Sequence, residues 1–196
     1  MDPVTDYLSS LQTELAKLPL SKIYDAISIL QEARCRGANI FIMGNGGSAS
    51  TASHFVCDLL KNTRVEGIPA FKVTGLADNM AVVSAFANDE GYENIFAQQL
   101  SVLVKPGDVV VGISTSGNSM NVIRAIEVAD QVGAITIAFT GYEGGKLGAI
   151  VDLNVCVPSD NIERIEDIHL VLEHIITKVL REEAQGNSTL VKLSKC

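Results

Sequence analysis

Ile40-Phe41-Ile42-Met43-Gly44-Asn45-Gly46-Gly47-Ser48-Ala49-Ser50 is the stretch on which the fold turns. A short apolar run without polar alternation is the pattern of a strand covered on both faces. It passes directly into a glycine-rich turn and then into a segment of helical patterning. Tight turns suit the glycines, and the free N–H groups at the start of the following helix form an anion site. A dinucleotide fingerprint is excluded, because GxGxxG needs a third glycine where Ala49 stands and no suitable acid follows a second strand. A Walker loop is excluded too, since no Gly-Lys-Ser/Thr occurs. Taken alone, the stretch is equally readable as an ordinary glycine-rich turn.

Working outward, four more apolar runs have the same character: Ala70–Val73, Val109–Ile113, Ala134–Phe139 and Leu153–Val157. Helix-like stretches separate them, and the last helix is expected from about Ile162 to Glu183. Strands alternating with helices predict an α/β domain, a parallel sheet flanked by helices. Ahead of the first strand, Val4, Leu8, Leu11, Leu15 and Leu18 recur at steps of four and three, a helix stripe that Pro19 interrupts. Ile23, Ile27 and Leu30 resume it until Gly37. This N-terminal helical pair needs a surface for its stripes, supplied by the rest of the domain or by a second subunit.

The whole chain has 196 residues, a prior for one domain with a helical appendage. Its formal charge of −8, without a basic cluster, is a poor match to nucleic acid or to an anionic membrane. No apolar run reaches the roughly 18 residues of a membrane span. The N-terminus MDPVTDYLSS is unlike a signal peptide. Cys35, Cys57, Cys156 and Cys196 show no CxxC spacing and are read as reduced thiols of a cytoplasmic protein.

Two further segments carry chemistry. Gly112-Ile113-Ser114-Thr115-Ser116-Gly117-Asn118-Ser119 again lies after a strand and before a helix. The hydroxyls of Ser114, Thr115, Ser116 and Ser119 are more than N-capping requires and can wrap a phosphate. In an open α/β sheet such loops sit at the strand ends where ligands bind. The second segment set is made of histidines and carboxylates. His54 and Asp58, at i and i+4, share one helix face. Glu166 and His174 are eight residues apart on the last helix, about 12 Å along its axis and in one row. Histidines with carboxylates suit zinc or another divalent metal, and also suit an ordinary surface ion pair. His169 points elsewhere.

The GNGGS loop, His54-Phe55, Ala87-Asn88-Asp89, GISTSGNS, Phe139-Thr140-Gly141 followed by Gly144-Gly145, and Arg164-Ile165 leading to His174 occur in one order. Together they resemble the SIS-domain phosphosugar isomerases, specifically the phosphoheptose isomerase family, over roughly residues 5–183. The resemblance implies a three-layer sandwich with a five-stranded parallel sheet. It also implies helices at an oligomer interface over 1–36 and an SIS domain over 37–184; the weak periodicity of 185–196 is read as a loosely ordered tail. The partners it implies are a phosphorylated sugar and three further copies, in a homotetramer with active sites at subunit interfaces. Carried over position by position, Asn45, Gly46, Gly47, Ser48, Asn88, Asp89, Ser114, Thr115, Ser116, Ser119 and Glu166 are expected at the substrate. His54, Asp58, Glu166 and His174 are expected to hold one zinc ion per site, with Asp58 and His174 as the acid/base pair.

The chain departs from the family pattern at Asp58, where Glu is usual, at Glu166, where Gln is usual, and at Asn62, near where an Arg often helps hold substrate. The implied reaction is aldose–ketose isomerisation of sedoheptulose 7-phosphate to D-glycero-D-manno-heptose 7-phosphate through an enediol. An isomerase of another phosphosugar, or a non-catalytic SIS protein that binds a phosphosugar or a replication-initiator partner, are the alternatives.

Overall fold

The computed structural model describes residues 2–186. Five strands, β1 (Asn39–Gly44), β2 (Lys72–Gly75), β3 (Val109–Ser114), β4 (Ile135–Thr140) and β5 (Leu153–Cys156), form one sheet in the order β2-β1-β3-β4-β5. Every neighbouring pair is parallel, with Ile40 opposite Val109 and Val109 opposite Ile135. Eight α-helices surround it: α1 (Pro3–Leu15), α2 (Leu20–Arg36), α3 (Gly47–Lys61), α4 (Met80–Glu90), α5 (Ala97–Leu103), α6 (Met120–Val132), α7 (Gly145–Ile150) and α8 (Ile162–Ala184).

Side chains along each central strand alternate between two cores, as strand geometry requires. Ile40 and Ile42 of β1 face a core shared with α2, α3 and α8, whereas Phe41 and Met43 face one shared with α5, α6 and α7. This is the three-layer α/β arrangement expected from the sequence. The strands lie within a residue or two of the apolar runs. The largest shift is at β2, which begins at Lys72 rather than Ala70. As an edge strand it needs only one covered face, so Lys72 and Thr74 point outward while Val73 is buried.

The N-terminal pair divides its labour. Ile23, Ala26, Ile27, Leu30 and Ala33 of α2 are buried in the sheet's core. α1 instead rides on α8: Tyr7 donates to Asp167 at 2.6 Å, and Arg164 bonds both carboxylate oxygens of Glu14 at 3.0 Å. Val4 and Leu8 on its outer side stay exposed. The tail expected from residue 185 lies, from residue 187 on, outside the described residues. Among the described residues, no helix is long and apolar enough to cross a membrane. Cys57 and Cys156 are free thiols. Cys35 is disulfide-bonded, which corrects the reading of it as a reduced thiol. The absence of CxxC spacing and the apolar context on which that reading rested do not exclude pairing.

Candidate active site

β1 ends at Gly44, and the chain turns through Asn45 and Gly46 into α3. Gly46 sits at φ +54 and caps the helix without a side chain, leaving the N-terminal amides open. Asn45 is held rather than free. Its amide and that of Asn121 exchange reciprocal hydrogen bonds at 2.9 and 2.8 Å, and Tyr92 donates to its Oδ1 at 2.9 Å. Asn121 is buried at the start of α6, so this pair ties the first loop to the second.

The second loop leaves β3 at Ser114 and enters α6 after Ser119. The Ser114 and Ser119 hydroxyls meet at 3.1 Å, and Ser119 makes no side-chain cap to α6. The N-capping alternative is therefore not how Ser119 is used, and the α6 amides remain directed at the loop's mouth. Gly117, at φ +62, lies so close to the Gly144 carbonyl that no side chain fits there. Leu147 and Lys146 donate backbone N–H groups to Gly117 and Asn118, which pins the loop to the start of α7.

Between α3 and α8 stands a four-residue cluster. Nε2 of His54 and Nε2 of His174 are 3.4 Å apart. Oε1 of Glu173 is 3.2 Å from the His174 nitrogen and 3.6 Å from that of His54. Asp58 Oδ1 is 3.8 Å from His54 and accepts from Asn62 at 2.6 Å. One ligand atom from each of His54, Asp58, Glu173 and His174 lies within 4.8 Å of all the others. Tetrahedral zinc with nitrogen and oxygen ligands spaces its donors about 3.3–3.6 Å apart, so the histidines and Glu173 stand near that spacing and the set fits such an ion once Asp58 draws in. Burial, and then the neighbouring Asp58, push the Glu173 carboxyl up to about 8.

The structure thus brings three of the expected metal ligands together and leaves the fourth out. Glu166 lies near the start of α3, its carboxylate over Gly47, where an added Cβ would fall 2.5 Å from Oε1. Eight residues of helix separate it from His174, about 12 Å along the axis. Glu173 stands in the cluster beside the two histidines, and sequence reasoning missed it. The signal was present: Glu173 falls on the buried stripe of α8 with Ile165, Leu172, Ile176 and Leu180, a position a carboxylate rarely takes. Asn88 and Asp89 are exposed in the last turn of α4, with one side-chain hydrogen bond among the described residues, between themselves at 2.7 Å. His169 is buried, 3.1 Å from the Thr140 carbonyl.

A family model described as the SIS domain matches residues 4–141. The phosphoheptose isomerase of Geotalea daltonii is 41% identical over 167 residues, covering 84% of this chain and 85% of that protein. The solved structure of a phosphoheptose isomerase from Francisella tularensis matches with a TM-score of 0.86 at 30% identity, over 92% of this chain and 97% of that one. For the phosphoheptose isomerase from Neisseria gonorrhoeae the TM-score is 0.83 at 30% identity, over 90% and 96%. With the helix-bound cluster and the two strand-end loops in place, the chain belongs to the SIS-domain family and, within it, to the phosphoheptose isomerase family of enzymes.

Proposed function

We propose that this chain isomerises sedoheptulose 7-phosphate to D-glycero-D-manno-heptose 7-phosphate. The observation that carries the reading is the convergence of His54, Asp58 and His174 between α3 and α8, beside two strand-end loops. The Ser114, Thr115, Ser116 and Ser119 hydroxyls, with the α6 amides, bind the phosphate and fix the open-chain sugar by one end. Gly46, Gly47 and Ser48, with the Glu166 carboxylate over that turn, receive the sugar's hydroxyls, and Asn45 holds the turn in shape. Asn88 and Asp89 take part once the sugar is bound.

Asp58 and His174 are the acid/base pair. One removes a proton from C1, and the electron pair left behind forms the C1=C2 bond of the enediol as the C2 carbonyl oxygen gains a proton. The other returns a proton to C2, and loss of the O1 proton leaves the aldehyde at C1. Asn62 holds the Asp58 carboxylate by its 2.6 Å bond. His54, Asp58 and His174 would hold one zinc ion, which would supply Lewis-acid polarisation of the carbonyl oxygen; a metal-bound imidazole is a poor base, so ligation and proton transfer by His174 are alternative roles or belong to different steps.

The exposed outer side of α1 and the half-open His54 and His174 support a homotetramer in which a neighbouring copy covers the site. A phosphorylated metabolite as substrate supports a cytoplasmic location. The test is incubation of purified protein with sedoheptulose 7-phosphate, with added zinc and after chelation, read by NMR. The aldoheptose 7-phosphate is the expected product. A folded, zinc-loaded protein that makes none overturns the reading.

A further inference from the structure

The carboxylate of Glu173 is fully buried, and neither of its oxygens has a hydrogen-bond partner. Charge-bearing groups near it are the His174 and His54 ring nitrogens at 3.2 and 3.6 Å and Asp58, itself an acid. Burying a carboxylate with no compensation costs several kcal/mol. A neutral acid can give its O–H to the His174 nitrogen at 3.2 Å, but that answers one Glu173 oxygen and leaves the other, with His54 and Asp58, turned toward the same space. With both imidazoles neutral and their hydrogens on Nδ1, four lone-pair donors face one space, and a cation answers all of them at once. Glu166 has no such need. It is half-buried, and the amides opening α3 favour a negative charge where it stands.

We infer that Glu173 is the fourth ligand of the metal centre, so that this chain holds its ion with two imidazoles and two carboxylates, Asp58 and Glu173, while Glu166 stays outside. With neutral imidazoles the ligand set carries two negative charges and balances a divalent ion completely. The ion also fastens α8 to α3 at His174 and Glu173 on one side and His54 and Asp58 on the other. The inference rests on reading this cluster as a metal centre, and not on which sugar is turned over.

The experiment compares metal-free wild type, Glu173→Gln and Glu166→Gln by zinc competition titration, by the visible spectrum of the cobalt(II)-substituted protein and by thermal melting with and without zinc. Wild type is expected to bind one ion per chain. Glu173→Gln is expected to bind zinc about 100-fold more weakly, the upper end of the loss even an outer-shell partner causes. Its cobalt spectrum changes and its zinc-induced rise in Tm shrinks, yet its metal-free form melts no lower than metal-free wild type. Glu166→Gln is expected to match wild type in affinity and spectrum. If Glu173→Gln does not fold, Glu173→Leu, an apolar side chain in an apolar stripe, is read in its place.

Wild-type affinity and spectrum in the Glu173 variant overturn the inference, as does loss in Glu166→Gln instead, or no metal bound by wild type. Turnover is assayed on the same samples. Metal bound through Glu173 without sugar conversion keeps the inference and removes the proposed reaction. Conversion with metal binding indifferent to Glu173 does the opposite.

Discussion

Nε2 of His54 faces Nε2 of His174 at 3.4 Å, although the two histidines are 120 positions apart in the chain. Their rings meet edge to face, 4.9 Å between centroids and 82° between planes. Two nitrogens so placed cannot both carry a hydrogen toward each other. Either one donates its N–H to the other, or both turn lone pairs to one shared target with Asp58 alongside.

Removing a member of that group removes chemistry before it removes structure. Asp58→Asn and His174→Ala are each expected to lower kcat/KM about 1,000-fold, within the range for a lost acid or base. His174 is half-exposed, and Asn keeps the shape of Asp58, so both variants keep wild-type circular dichroism. Near-normal turnover in either would show that the proton is handled elsewhere.

The phosphate loop predicts a different kinetic signature. Ser114→Ala and Ser119→Ala each delete one of two hydroxyls that meet at 3.1 Å. Each is expected to raise KM about 10-fold with little change in kcat, since a charge-assisted hydrogen bond contributes roughly 1.5–3 kcal/mol to binding. Steady-state kinetics, with inorganic phosphate as a competitor, separates this from a loss confined to kcat.

Gly117→Ala tests the backbone of the same loop. Alanine at φ +62 is strained, and its Cβ runs into the Gly144 carbonyl, a backbone atom that cannot swing away. The expected cost is about 3 kcal/mol, with phosphate affinity lost as well. A urea unfolding midpoint within error of wild type would contradict the packing described for this turn.

His169 predicts a pH dependence of stability. Burial pushes its imidazole down to about 4 from an ordinary value of 6.5, against the opposing pull of its bond to Thr140. Between those values the unfolded chain binds more protons than the native one, so this group's contribution to stability rises with pH. It is complete above about 6.5 and lost as pH falls toward 4, by about 3 kcal/mol in all. His169→Gln, which can still donate to Thr140, should flatten the acid side of a Tm-against-pH curve relative to wild type. An unchanged slope between pH 4 and 6.5 would contradict it.

Much of this was legible in the sequence, and the exceptions have physical causes. Strands such as Val109–Ser114 are buried on both faces, so their apolar runs mark them directly. β2 drifted by two residues because an edge strand is polar on one side, and apolarity alone misplaces it. His54 and Asp58 were readable as a pair because four residues bring a helix back to the same face. Partners on a second helix are not local. Helical spacing placed Glu166 and His174 in one row, but which turn of α8 meets which turn of α3 is set by packing. That packing brings Glu166 to Gly47 and Glu173 to the histidines. The hydrogen bonds of Asn45 to Asn121 and Tyr92 come from segments that sequence alone does not bring together.

The α3–α8 contact also orders events during synthesis. By the time the ribosome has released β5, the nascent chain holds every strand and both anion-binding loops. It still lacks half of the cluster, because His174 and Glu173 arrive only with the closing helix. A chain cut short before residue 173 therefore has both strand-end loops in its sequence but lacks half of the cluster and the Ile176 and Leu180 side chains with which α8 closes the core.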